Sequence, residues 1–122
     1  MARVLVIDDE PDVRSVICTL LEEAGHDVVA FANGAGAIEH ARQEPADLLI
    51  TDIFMPDVEG LETIRAIRRL RPDMPIIAIS GIDFDGGNYL AVARKFGAME
   101  TLKKPFWPDD LVDLVSRVLS PA

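Results

Sequence analysis

Cysteines, basic residues and long apolar runs are all scarce in this chain of 122 residues. The single cysteine, Cys18, excludes an internal disulfide and a cysteine-rich zinc site. Only 12 Lys and Arg residues stand against 21 Asp and Glu residues, so the formal net charge is -9. This balance argues against a nucleic-acid or anionic-membrane surface, because phosphate groups are bound by clustered cations.

The apolar start of the chain turns acidic after a few residues, which is too short for a signal peptide or a membrane span. We therefore expect a cytoplasmic protein. The hydrophobic content of 49% is too high for a disordered chain and fits one folded domain. We find no linker or repeat, and we expect a single domain over residues 1–122 with no output domain.

Two kinds of segment alternate along the chain. Apolar runs that are continuous rather than alternating predict strands with both faces buried, as in a parallel sheet covered by helices. They occupy residues 4–7, 28–31, 48–50 and 76–79, and a more polar run at residues 99–102 predicts an edge strand.

The segments between these runs carry apolar residues at helical spacing. Pro11 and Pro108 stand where helices begin, and Gly25 and Gly97 stand where helices end. Five strand–helix repeats with connections of this length predict an open parallel α/β sheet with helices on both faces.

Ligands of such sheets bind beyond the carboxyl ends of the strands. The residues that follow the predicted strands are Asp8, Asp9 and Glu10 after the first, Asp52 after the third, Ser80 after the fourth, and Lys103 and Lys104 after the fifth. Crowded carboxylates require a cation, and an all-oxygen ligand set favours Mg²⁺. A carboxylate beside that ion could attack phosphorus and form an aspartyl phosphate, so the pattern predicts phosphoryl transfer.

Each of these residues also has an ordinary structural explanation. The acidic run before Pro11 could cap a helix, Asp52 could cap a turn, and Ser80 could satisfy backbone groups. Lys104 could be a solvated surface residue. The occurrence of all four groups at one predicted edge is what favours a functional site.

Four segments resemble the receiver domain of two-component response regulators, here of the single-domain type. They are VLVIDDEPDVR, DLLITDIFMPDVEGLE, PIIAISG and GAMETLKKPF, and the resemblance covers essentially the whole chain. It implies a flavodoxin-like five-stranded parallel sheet of order 2-1-3-4-5 with five helices on both faces.

The same resemblance implies roles for individual residues. Asp52 would accept the phosphoryl group, Ser80 would be the switch hydroxyl, and Lys104 would pair with the phosphoryl group, with the Lys104–Pro105 bond often cis in this family. The implied Mg²⁺ ligands are Asp8, acting largely through water, Asp9, Asp52 and the main-chain carbonyl of Phe54.

The resemblance also implies partners. The donor would be a phosphohistidine of a sensor histidine kinase or a histidine phosphotransfer protein. The output would reach a downstream protein through the surface of the fourth helix, fifth strand and fifth helix. No nucleic-acid or membrane partner is expected. The domain would not be an enzyme, apart from catalysing its own phosphorylation and dephosphorylation.

Three positions depart from the usual receiver pattern. Thr101 stands where the family usually carries Tyr or Phe, so we expect another group to couple activation to the surface. Phe54 and Ile82 place apolar side chains beside the phosphoryl group, which predicts a long-lived aspartyl phosphate because water is excluded. The loop at residues 82–87 is also unusually rich in glycine.

Two alternatives remain at this point. A phosphatase of the haloacid dehalogenase type also uses an aspartate nucleophile and Mg²⁺, but its Asp-x-Asp pair should follow the first strand. Here Asp8 and Asp9 are adjacent and Asp52 follows the third strand. A degenerate receiver that serves only as a binding module is the other alternative, and the complete acidic set with Lys104 argues against it.

Overall fold

The computed structural model describes residues 2–53, 59–80 and 93–120. Its strands are β1 (Arg3–Ile7), β2 (Asp27–Phe31), β3 (Leu48–Asp52), β4 (Ile76–Ser80) and β5 (Glu100–Lys103). Its helices are α1 (Pro11–Glu23), α2 (Gly34–Gln43), α3 (Glu59–Leu70), α4 (helical at residues 93–96) and α5 (Pro108–Leu119). Phe54, Ile82 and the loop at residues 82–87 lie outside the described residues.

The five strands form one parallel sheet in the order β2-β1-β3-β4-β5. In the centre of the sheet, Ile7 of β1 is in register with Thr51 of β3. Asp52 at the end of β3 is in register with Ile79 of β4. This confirms the predicted strand order. The parallel arrangement places the carboxyl ends of β1, β3 and β4 side by side at one end of the sheet.

Two hydrophobic cores lie on opposite faces of the sheet. One contains Leu5, Leu49 and Ile76 of the strands together with residues of α2 and α3. The other contains Val6 and Ile50 together with residues of α1 and α5. Because β3 and β4 are buried at every position, both of their faces are apolar up to the polar residues at their carboxyl ends. This is why their sequences read as continuous apolar runs.

The strand β2 differs from the other apolar runs. Its sequence, DVVAF, resembles that of a central strand, yet it lies at the edge of the sheet with Ala30 exposed. The predicted polar edge strand, β5, lies at the opposite edge and is partly exposed. Both edges therefore carry only partly buried strands, and the buried centre is formed by β1, β3 and β4.

The helix boundaries follow the predicted proline and glycine positions. Pro11 and Pro108 are the first residues of α1 and α5. Gly25 follows α1 with a φ of 95°, and Gly97 follows α4 with a φ of 129°, so both occupy left-handed backbone regions that glycine tolerates without strain. Among the described helices, none has the length and apolar character that a bilayer span requires.

Arg68 of α3 ties this helix to the start of the β4 and β5 segments. Its guanidinium donates to the main-chain carbonyls of Pro72 and Met74 at 2.7 Å, just before β4. It also donates to the carbonyl of Gly97 at 2.7 Å, between α4 and β5. These charge-assisted bonds fix the entry of two strands whose opposite ends form the site described below.

Helices α2 and α3 approach each other closely at Gly34. Gly34 is buried, and a Cβ atom at this position would collide with the side-chain hydroxyl of Thr63, which is itself buried. Glycine is needed here for space, since its φ is not in the left-handed region. The packing of α2 on α3 therefore depends on the missing side chain.

We expect Gly34→Ala to lower the free energy of unfolding by about 1–3 kcal/mol, because an overpacked interface must shift to admit the methyl group. Urea denaturation of the variant and of the wild type measures this difference. In a Thr63→Ala background the loss should be smaller by at least about 0.5 kcal/mol, since the colliding hydroxyl is gone. Strictly additive effects of the two substitutions would contradict the explanation.

Candidate functional site

Two carboxylates become neighbours because β1 and β3 are adjacent parallel strands. Asp8 follows the last residue of β1, and Asp52 is the last residue of β3. Both are buried: the Asp8 side chain is 0% exposed and the Asp52 side chain is 3% exposed. Buried carboxylates are costly unless they are paired with a cation, so this end of the sheet requires one.

Lys104 supplies a positive charge to both carboxylates. Its Nζ atom donates to Asp8 Oδ2 at 3.0 Å and to Asp52 Oδ2 at 3.0 Å. A third, longer hydrogen bond joins Nζ to Glu10 Oε1 at 3.4 Å. Through its ammonium, Lys104 therefore links the segment after β5 to the ends of β1 and β3.

The main chain around Lys104 is fixed by the neighbouring strand. The Lys104 N–H donates to the carbonyl oxygen of Ser80 at 2.8 Å, which extends the pairing of β4 and β5 by one residue. The next peptide bond, Lys104–Pro105, is cis. Lys103 is exposed, so of the two adjacent lysines it is Lys104 that faces the carboxylates.

Asp8 is anchored by both its main chain and its side chain. Its N–H donates to the carbonyl of Phe31 at 3.1 Å, and its own carbonyl accepts from Arg14 Nη1 at 2.7 Å. Its Oδ1 atom accepts from the Glu10 N–H at 2.9 Å, which leaves Oδ2 for Lys104. The position of this carboxylate is therefore set before any ligand binds.

The ion pairs raise the pKa of Lys104. Burial by itself disfavours the charged ammonium and would lower its pKa. The hydrogen bonds to Asp8 and Asp52 and the negative charges of the two carboxylates together outweigh burial. The pKa of Lys104 therefore lies above its ordinary value of 10.5, and the ammonium is charged at neutral pH.

Four carboxylates at the carboxyl ends of the strands could hold a metal ion. Asp8, Asp9, Glu10 and Asp52 each offer an oxygen, and these oxygens lie within 4.8 Å of one another. Lys104 offsets only part of the negative charge of these carboxylates. A set of oxygen ligands with excess negative charge suits a hard divalent cation such as Mg²⁺. The residues thus suit the ion that the sequence predicted.

The structure brings together most of the predicted site residues. Ser80 is buried at the end of β4, beside Lys104 and one strand from Asp52. Asp9 is exposed at the same edge. The carbonyl of Phe54 lies outside the described residues. The sequence places Glu10 after the first strand but gives it no role in the site, and the structure shows that its carboxylate belongs to the cluster and contacts Lys104.

The comparisons with known proteins identify the family. The family model of the response regulator receiver domain matches residues 4–116. The chain is a response regulator receiver domain. It therefore belongs to the signalling domains of two-component systems, which interact with histidine kinases and downstream effectors and bind Mg²⁺ through an acidic pocket.

Individual relatives agree with this assignment. The response regulator receiver protein CpdR of Brucella abortus is 37% identical over 119 residues, which cover 98% of each chain. The DNA-binding transcriptional regulator NtrC of Azospirillum brasilense is 38% identical over 122 residues, but the match covers only 24% of that protein. The chain thus spans nearly all of CpdR and about a quarter of NtrC.

A solved structure gives the same result. The chemotaxis response regulator CheY4 of Vibrio cholerae superposes with a TM-score of 0.86 at 30% identity, covering 98% of this chain and 99% of that one. The receiver fold is therefore confirmed. The phosphatase and degenerate-receiver alternatives find no support in these comparisons.

We expect Lys104→Met to lower the free energy of unfolding by about 3 kcal/mol in chelator-treated buffer at neutral pH, because two buried carboxylates lose their cation. Urea denaturation measures the loss. Lys103→Met, at the exposed adjacent lysine, is the matched control and should cost less than about 1 kcal/mol. Mg²⁺ should restore part of the stability of Lys104→Met. A loss no larger than that of the control would contradict the buried ion-pair assignment.

The raised pKa of Lys104 also predicts how its contribution depends on pH. Stability from a raised lysine pKa is fully present below the unfolded-state value of 10.5 and is lost as the pH rises through the folded-state value. The difference in free energy of unfolding between the wild type and Lys104→Met should thus stay constant from neutral pH to that value and shrink above it. Denaturation at a series of pH values tests this. A difference that already shrinks at mildly alkaline pH would show that the pKa is not raised.

Proposed function

We propose that this receiver accepts a phosphoryl group on Asp52 from a phosphohistidine of a histidine kinase or a histidine phosphotransfer protein. The observation that carries the proposal is the position of the Lys104 ammonium, 3.0 Å from an oxygen of Asp8 and 3.0 Å from an oxygen of Asp52. This arrangement holds a nucleophilic carboxylate beside a fixed positive charge that can neutralise an incoming phosphoryl oxygen.

Asp52 is suited to act as the nucleophile. Its carboxylate lies at the end of a buried strand, so its orientation is fixed. Its negative charge is offset by the ammonium of Lys104 rather than by water. In the transfer, an Asp52 oxygen forms the new bond to phosphorus, and the donor's leaving atom departs with its bonding electron pair. Lys104 then pairs with a phosphoryl oxygen, and its attraction to that oxygen increases as charge develops.

We propose that Asp8, Asp9, Asp52 and the main-chain carbonyl of Phe54 hold Mg²⁺. The ion, when bound, supplies positive charge that offsets the phosphoryl oxygens and the crowded carboxylates. Asp8 is suited to hold it because hydrogen bonds from the Glu10 N–H and Arg14 fix its position. We propose no catalysis beyond the domain's own phosphorylation and dephosphorylation.

Ser80 is proposed as the hydroxyl that binds a further phosphoryl oxygen. It ends β4 next to β3, and it is in register with Lys103 of β5. The Ser80 carbonyl accepts the Lys104 N–H, so a movement of Ser80 would act directly on the residue that follows β5.

The output is proposed to pass through the surface of α4, β5 and α5 to a downstream protein. Within the described part of this surface, Met99 is exposed and Arg94 pairs with Glu100 at 3.6 Å. Thr101 of β5 is only partly buried and pairs with Ala78 of β4.

Residues 1–122 are proposed to form one receiver domain, since all five strands belong to a single sheet.

Intact mass spectrometry after incubation with acetyl phosphate and Mg²⁺ tests the assignment of Asp52. We expect one phosphoryl adduct on the wild type and none on Asp52→Asn, because the amide cannot act as the nucleophile. Asp47→Asn, a change of the same kind at an exposed residue before β3, should keep the adduct. Chelation of Mg²⁺ should abolish it. An adduct that persists in Asp52→Asn would place the phosphoacceptor elsewhere.

A further inference from the structure

Glu10 occupies the solvent-facing side of the phosphoacceptor site. Its side chain is 62% exposed, whereas that of Lys104 is 12% exposed and that of Asp52 is 3% exposed. Its carboxylate nevertheless lies within 4.8 Å of oxygens of Asp8, Asp9 and Asp52 and 3.4 Å from Lys104 Nζ. A solvent-exposed negative charge therefore lies close to the buried nucleophile.

Helix capping does not account for this side chain. Glu10 is the N-cap residue of α1, but its side chain makes no capping hydrogen bond to the described first turn. Its main chain does the local structural work: the N–H donates to Asp8 Oδ1 at 2.9 Å, and the carbonyl accepts from the Arg14 N–H at 3.0 Å. The charge of the side chain can therefore be removed while these backbone bonds remain.

The sign of this charge matters for any phosphoryl donor. A phosphoryl group bonded to an Asp52 oxygen must lie close to the Glu10 carboxylate, because the two carboxylates belong to one cluster. Charges at the entrance of a site change association rates strongly. A dianionic donor is repelled here, whereas a donor whose nitrogen leaving group is protonated carries less net negative charge and presents a cation to Glu10.

We propose that Glu10 is a specificity-determining residue that disfavours acyl phosphates relative to phosphoramidate-type donors, the chemical class to which phosphohistidine belongs. This inference rests on the proposed phosphorylation of Asp52. The two reactions differ only in the bond that breaks and in the charge of the donor.

Both reactions balance with the same new bond. With acetyl phosphate, an Asp52 oxygen bonds to phosphorus, the phosphorus–oxygen bond breaks, and acetate leaves with the electron pair. With phosphoramidate in its N-protonated form, the phosphorus–nitrogen bond breaks and neutral ammonia leaves with the pair. The Asp52 carboxylate thus meets a dianion in the first case and a net monoanion in the second.

The test compares the rates of Asp52 phosphorylation of the wild type and Glu10→Gln by these two donors. Each variant is held at a Mg²⁺ concentration that calorimetric titration shows to be saturating. We expect Glu10→Gln to raise the ratio of the acetyl phosphate rate to the phosphoramidate rate by roughly threefold to tenfold, at or below the low end of known steering effects because a single exposed charge is removed. High salt should reduce this change, since an exposed charge is screened.

Two control variants separate the charge of Glu10 from other effects. Glu10→Asp keeps the charge and should keep a ratio close to that of the wild type. Glu23→Gln makes the same chemical change at the exposed far end of α1, where about 20 Å of helix places the charge beyond the screening length, and should leave the ratio unchanged.

The outcomes distinguish the two proposals. If the wild type takes no phosphoryl group on Asp52 from either donor, the proposed function is wrong. If Asp52 is phosphorylated but Glu10→Gln leaves the donor ratio unchanged, the function stands and the specificity role of Glu10 is wrong. A ratio that changes equally in Glu23→Gln or in Glu10→Asp would also overturn that role.

Discussion

The pairing of one ammonium with two buried carboxylates is the interaction on which this site depends. Asp8 and Asp52 have almost no contact with water, so their charges must be compensated from within the protein. Lys104 does this from the position directly after β5, which lies on the other side of β4, and it is 96 residues along the chain from Asp8. The site therefore exists only when β1, β3 and β5 are assembled in one sheet.

The parallel sheet makes this assembly possible. After Arg3, its central strands are apolar until their carboxyl ends, where Asp8 follows β1, Thr51 and Asp52 close β3, and Ser80 closes β4. The register between β1 and β3 then places Asp8 and Asp52 side by side. Because all strands run in the same direction, the polar groups collect at the carboxyl ends of the strands. The loops that Arg68 fixes lie at the amino ends of β4 and β5.

Much of this could be predicted from the sequence because burial on both faces leaves a clear pattern. Continuous apolar runs that end in Asp8, Asp52 or Ser80 identify both the strands and the edge where the site forms. The same reasoning fails for β2, whose apolar run is as continuous although the strand lies at the edge of the sheet. An apolar run indicates that a strand is packed, but it does not indicate how many neighbours the strand has.

The role of Glu10 could not be predicted for a different reason. A carboxylate directly before Pro11 is the ordinary signature of a helix N-terminus, and nothing local distinguishes a cap from a ligand. What distinguishes them is the contact with Lys104, which is 94 residues away and depends on the whole sheet. The choice of Lys104 over Lys103 could be predicted from the family resemblance alone, because local sequence does not tell which of two adjacent residues faces the pocket.

The connection between chemistry and surface follows from the two bonds that Lys104 makes at once. Its ammonium binds Asp52, while its N–H binds the Ser80 carbonyl at the end of β4. Phosphorylation of Asp52 would put added negative charge next to that ammonium, so the pull on Lys104 would increase at the point where β5 leads into Pro105 and α5. With Thr101 in place of a large aromatic side chain, this main-chain route is one physical link from the site to α5 that does not depend on an aromatic ring.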